Sequence, residues 1–232
     1  MFFDPLYFLF TVPALLLALW AQSKVRNTFA KYAKVPTLTG ATGWNAAQVL
    51  IRSNSLDVKT EQIAGELTDH YDPRSKTVAL SQSSIINSVA SVAIVAHELG
   101  HAMQHREKDP LLTLRSAIVP IVNIGSGLGP WLFMAGTLLG LSHGLGSTLA
   151  WLGVAGFGLA TIFALITLPV EFDASRRALA MIRENRLLTE TEMHGAKQVL
   201  DAAALTYVAA AAQSLLTLLY FVLRLNGSRR RD

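Results

Sequence analysis

The sequence predicts a mainly α-helical integral membrane protein, with about four membrane-spanning helices and a small α+β part that contains a β-hairpin or short sheet. Three observations predict it. Hydrophobic residues make up 51% of the 232 residues and charged residues 16%, against about 25% charged in soluble domains, and the mean hydropathy is +0.37. Four apolar runs, 2–21, 117–141, 147–168 and 205–223, have about the length that crosses a bilayer as a helix. The stretch between the first two, 22–115, is polar and carries both helical and strand patterning. The whole of 1–232 reads as one membrane-embedded domain. Its net charge of +4 does not call for nucleic acid, because Lys and Arg commonly flank membrane spans; the expected partner is the lipid bilayer. With no Cys, disulfides and thiolate metal ligands are excluded.

The first run, Phe2 to Ala21, has no basic residue before it and a poor cleavage site at its end, so it reads as an uncleaved span. Lys24, Arg26, Lys31 and Lys34 follow. Thr39 to Gly43 is a turn, and Trp44 to Arg52 a short helix. Asp57 to Ile63 alternates weakly and is a strand candidate. Glu66 to Tyr71 and Lys76 to Ser81 flank Asp72-Pro73-Arg74-Ser75, a turn sequence, which makes a β-hairpin. Ser84 to Ala96 is rich in Ala, Val and Ile and leads into a helix that ends before Asp109-Pro110. The second and third spans are joined by a tight turn at Ser142 to Gly146, and their Gly and Ala residues permit close packing. Residues 170–204 are polar and helical. Thr189, with Glu192 three residues later, has the pattern of a helix start, and that helix continues into the fourth span.

The chain is organised around His97-Glu98-Leu99-Gly100-His101. Two histidines four residues apart lie on one helix face and can reach one metal ion. Neutral imidazole is a good zinc ligand, and Glu98, next to the first ligand, is placed to take a proton from a water at the fourth coordination position. Gly100 keeps the metal face uncrowded. One Zn²⁺ per chain is the expected cofactor, and a catalytic site needs a third protein ligand. His105 and Glu171 are the candidates. His105 lies one further turn along the same helix, about 6 Å away, which suits a tetrahedral site badly. Glu171 begins a helix that returns on the same side of the membrane. Asp173 lies about 200° around that helix from Glu171 and has an i,i+4 partner in Arg177.

The stretches His97 to His105, Leu168 to Leu179, Leu67 to Pro73 and Ala202 to Ala210 together resemble the YugP-like family of membrane-bound neutral zinc metallopeptidases of bacteria, over nearly the whole chain. More distantly the chain is similar to gluzincin membrane peptidases of the HtpX type. The resemblance implies a zincin-like metalloprotease part and makes Glu171 the third ligand. Those distant relatives carry Asp four residues after the Glu, where it supports a ligand histidine. Here that position is Ser175, so the support of the ligands must differ.

Other residues are candidates on weaker grounds. Tyr207 and His194 are candidate hydrogen-bond donors to a tetrahedral oxyanion. Thr77, Val78, Ala79 and Leu80 are a candidate edge strand for aligning an extended peptide. Of the 20 Lys and Arg, sixteen lie between Lys24 and Lys197 and four at or beyond Arg224. The positive-inside rule therefore expects a multi-pass protein of the cell membrane with the metal motif in the cytoplasm, although the arginines of the tail argue the other way. The expected function is a zinc endopeptidase acting on a peptide or membrane-protein substrate. The alternative is a zinc-binding membrane scaffold or assembly factor without turnover, in which Glu98 has no role.

Overall fold

The computed structural model describes residues 4–141 and 144–229. The start of the first expected span at Phe2 and Phe3, Ser142 and His143 of the expected turn, and Arg230 to Asp232 of the tail lie outside the described residues. The elements run α1 (Pro5–Tyr32), α2 (Gly43–Ser53), β1 (Lys59–Ile63), β2 (His70–Asp72), β3 (Thr77–Ser81), a 3₁₀ turn (Gln82–Ser84), α3 (Val89–Arg106), α4 (Pro110–Leu139), α5 (Gly144–Glu184) and α6 (Glu190–Arg229). The protein is mainly α-helical, a membrane protein with a small sheet. Among the described residues four helices, α1, α4, α5 and α6, are long and apolar enough to cross a membrane. The expected break between the third span and the helix after residue 170 is absent: α5 runs through Pro169 without interruption. Proline within a helix removes one backbone hydrogen bond, and apolar helices tolerate this where neighbouring groups satisfy the freed carbonyl.

The chain divides into two compact units. The first comprises Met1–Trp20, Leu114–Leu168 and Tyr207–Asp232. Its outward surface is apolar: Leu9, Leu16, Trp131, Leu138 and Leu145 are all exposed, as suits a lipid-facing bundle. Inside it, Phe133, Ala150, Val154, Tyr220, Phe221 and Leu225 form the core. α4 and α5 touch backbone to backbone, since a Cβ on Gly153 would lie 2.7 Å from Gly129 O and Phe133 N. Asp4, at the start of α1, accepts hydrogen bonds from Tyr220 Oη at 3.1 Å and from the Arg224 guanidinium. The first turn of α1 thus meets the last turns of α6.

The second unit comprises Ala21–Thr113 and Pro169–Thr206. Its sheet has the order β1-β3-β2, with β1 parallel and β2 antiparallel to β3. The hairpin is the one expected: Asp72 accepts from Arg74 N at 2.9 Å and Ser75 Oγ at 2.8 Å and so closes the turn. The expected edge strand is a correction. Thr77, Val78, Ala79 and Leu80 form the central strand, with β1 on one side and β2 on the other, and every residue of β3 is buried. Asp69 Oδ1 takes the Ser81 N–H at 2.8 Å, where β2 no longer reaches. A strand paired on both sides has no free main-chain groups for a peptide. Against this sheet and α2 packs α3, burying Val89, Val92, Ala93, Ala96 and Leu99 with Leu50, Val78 and Leu80, together with Met181, Ile182, Val199 and Leu200 from the later helices. The start of α6 is the expected capping box: Glu192 Oε2 accepts from Thr189 N at 2.7 Å and from Thr189 Oγ1 at 2.8 Å.

Candidate metal centre

The site lies within the second unit, on α3 and the second half of α5. Ser88 caps α3, its hydroxyl accepting from Ser91 N at 3.1 Å. The helix then continues to Arg106 and carries His97, Glu98 and His101. What brings α5 alongside is Gly100. A Cβ there would sit 2.5 Å from Ala174 O and 3.1 Å from Ala174 Cα, so only glycine allows this approach. Gly100 serves the contact between the two helices, where the sequence reading assigned it to the metal face.

That approach brings Glu171 to the two histidines. Glu171 Oε2 lies 3.2 Å from His97 Nε2 and 3.5 Å from His101 Nε2. The three ligand atoms all fall within 4.8 Å of one another, and the Glu171 side chain is 3% exposed. A tetrahedral zinc with bonds of about 2.0–2.1 Å separates its ligands by about 3.3 Å. Two imidazole nitrogens and a carboxylate oxygen at these spacings fit such an ion. Burial works against a charged His101, but its hydrogen bond with Glu171 and the negative charges of Glu98 and Glu171 outweigh it and hold its pKa above the ordinary histidine value. The centre thus favours a positive charge, which a proton or a divalent cation can supply, and the two compete. Glu98 is buried, 9% exposed.

With both Nε2 atoms turned inward, each ring presents Nδ1 outward, and each finds a partner. His97 Nδ1 is hydrogen-bonded with Ser175 Oγ at 3.2 Å. Ser175 therefore stands beside a ligand histidine, at the position where the distant relatives have Asp. The Nδ1–H of His101 donates to Gln104 Oε1 at 3.0 Å. Gln104, fully buried, in turn donates from Nε2 to Val170 O and to Asp173 Oδ2, both at 2.9 Å. Val170 directly precedes Glu171, so one amide ties the His101 ring to the backbone beside the third ligand. Asp173 also accepts from Arg177 Nε at 2.6 Å, and Arg177 Nη1 donates to Glu107 Oε2 at 2.6 Å, back on the α3 side. The sequence reading missed Gln104. Its signal was a polar side chain three residues after a ligand histidine, on a helix whose buried positions are otherwise mostly apolar.

Gln104→Leu is expected to lower zinc affinity by about 10–100-fold, the usual effect of removing a group that orients a metal ligand, while leaving the protein helical. Competition with a chromophoric chelator measures the affinity, and circular dichroism checks the fold. Native affinity in this variant would mean that Gln104 does not orient His101.

The other candidate residues lie elsewhere. His105 is not part of the trio; its Nδ1 meets Tyr71 Oη at 2.7 Å. His194 is exposed and accepts from Gln198 Nε2 at 2.7 Å, while Gln198 Oε1 accepts from Tyr32 Oη at 2.7 Å. This cluster shares no residue with the trio. Tyr207 falls on α6 in the apolar unit.

The fold and site define a membrane protein with a helix-borne His, His, Glu group suited to one metal ion. The chain belongs to the family described as "Putative neutral zinc metallopeptidase", whose profile matches residues 7–226. It is 45% identical over 225 residues to the "Putative membrane protease YugP" of Bacillus subtilis (strain 168), covering 96% of this chain and 98% of that protein. No solved structure matches.

Proposed function

We propose that the protein is a multi-pass, zinc-dependent endopeptidase of the gluzincin type, acting on a peptide or membrane-protein substrate. The observation that carries this reading is the clustering of the ligand atoms of His97, His101 and Glu171 within 4.8 Å of one another, with Glu98 buried next to His97 in the chain. A zinc ion held there would supply Lewis-acid chemistry for the peptide carbonyl and the attacking water. The chain supplies the rest. His97, His101 and Glu171 would hold the ion. Ser175 and Gln104 fix the ring orientations, so that Nε2 of each histidine faces inward. Glu98 takes a proton from the attacking water as the new C–O bond forms. It returns that proton to the departing amine nitrogen as the C–N bond breaks. Its burial keeps the carboxylate away from bulk water.

The test is purified, zinc-loaded protein in detergent with a loosely folded protein as substrate. Cleavage should stop on chelation, return with zinc, and be lost in Glu98→Gln. A scaffold role would leave Glu98→Gln functional in cells.

In this reading the second unit faces the cytoplasm, on the count of Lys and Arg. The meeting of Asp4 with Arg224 supports a fourth helix that runs back the full length of the bundle. The chain has no Cys, so single cysteines report cleanly. Ser75→Cys should stay unlabelled by an impermeant thiol reagent in intact cells, and Ser228→Cys should be labelled. The opposite pattern reverses the orientation, and protection of both places Ser228 in the same compartment as Ser75.

A further inference from the structure

Asp173 has an ordinary role on its own helix. Arg177 Nε donates to its Oδ2 at 2.6 Å, and the Arg176 guanidinium reaches its Oδ1. Two features set it apart from a surface ion pair. The Asp173 side chain is only 17% exposed and that of Arg177 21%. The same Oδ2 also accepts from Gln104 Nε2 at 2.9 Å, across on α3. Gln104 is fully buried, and its amide nitrogen donates to two acceptors, Val170 O and Asp173 Oδ2. Turning that amide over would set its oxygen against both acceptors, with no water to relieve them. The amide is therefore fixed with Oε1 toward His101 Nδ1, at 3.0 Å. An amide oxygen can only accept, so His101 carries its proton on Nδ1 and leaves Nε2 for the ion.

We infer that Asp173 is a positioning residue of the metal centre: acting through Gln104, it sets which nitrogen of His101 is offered to zinc, without itself touching the ion. The inference rests on the zinc reading of the site. Of the two acceptors that hold Gln104, Asp173 is the charged one, and a charged acceptor makes a hydrogen bond roughly twice as strong as a neutral one. Arg177 holds the carboxylate from the other side. Its Nη1 also donates to Glu107 Oε2 at 2.6 Å, and Glu107 caps the C-terminus of α3. The series Glu107, Arg177, Asp173, Gln104, His101 thus begins and ends on α3 and passes through α5, locking the two ligand-bearing helices together at the ring of one ligand. Removing a group that orients a metal ligand costs about 10–100-fold in affinity. Asp173 stands one side chain further from the ion than Gln104, so its loss belongs at the lower end of that range.

The experiment titrates zinc alone into the full, metal-free chain in detergent, against a chromophoric chelator. Asp173→Ala should weaken zinc binding by about ten-fold. Asp173→Asn keeps an oxygen acceptor for Gln104 Nε2 and should stay within about three-fold of native. In a chain that already carries Gln104→Leu, Asp173→Ala should weaken zinc by less than about two-fold more, because its route to His101 is gone. An ion pair that only stabilises the fold gives equal losses in the two backgrounds and no rescue by Asn. Circular dichroism checks the fold, and Asp173→Leu repeats the test if Asp173→Ala does not fold. Native affinity in Asp173→Ala overturns the inference. So does a loss in Asp173→Asn equal to that in Asp173→Ala, or an undiminished loss in the Gln104→Leu background. The native titration separates the two failures: a native chain that binds no zinc overturns the metal reading, and the inference with it.

Discussion

Purified Glu98→Gln, carrying its full complement of zinc, should cleave a loosely folded protein about 10²–10⁴-fold more slowly than the native chain, the usual worth of a general base. Gln has the size of Glu and can hydrogen-bond the attacking water, but it cannot accept the proton. Glu98 adjoins His97 in sequence and is about 100° from it around α3, so it approaches the water without completing the ion's protein shell. Glu98 is not one of the three residues whose ligand atoms cluster, which is why zinc content should hardly change. Its burial leaves little room for a solvent base to replace it. Near-native cleavage by this variant, with contaminating protease excluded by the chelator control, would sink the mechanism.

Glu171→Ala should lose most of its bound zinc, as should His97→Ala and His101→Ala, while His105→Ala should keep it. Each of the first three removes an atom from the group that lies within 4.8 Å. The loss in affinity should exceed the about 10–100-fold caused by changes in the supporting groups. Ala at 171 removes the only carboxylate of the trio and leaves two imidazoles. His105, engaged with Tyr71 on a different part of the unit, supplies nothing to the ion. Metal analysis of the purified variants decides the matter: full zinc in Glu171→Ala together with loss in His105→Ala would overturn the ligand set.

Much of this was legible from local pattern. The hairpin followed from Asp72 and its neighbours, the start of α6 from Thr189 and Glu192, and the placing of His97 and His101 on one helix face from their i,i+4 spacing. Each of these depends on residues a few positions apart, where spacing decides geometry. What escaped depends on contacts between distant segments. The Thr77-to-Ser81 strand was expected at an edge, although its run of small and apolar residues, buried throughout, is the composition of a strand flanked on both sides. The third span was expected to end at Leu168 where the chain turns polar, yet α5 continues through Pro169 to Glu184. Gly100 seemed to serve the metal, but its reason is the Ala174 backbone. Gln104 was passed over because its partners, Val170 O and Asp173, lie on another helix.

The unit that carries the site is made from two stretches of chain, Ala21–Thr113 and Pro169–Thr206, separated by residues of the apolar unit. Read in time, this sets an order of synthesis. His97 and His101 are made first, and at about 5–20 residues per second the chain needs several more seconds to reach Glu171. In that interval α4 and most of α5 are produced. A nascent chain therefore holds two of the three residues of the metal group, together with Glu98, and no complete centre. The full His97, His101, Glu171 group exists only once the third apolar helix is made, so on the proposed reading a chain truncated before it has no means of cutting its neighbours.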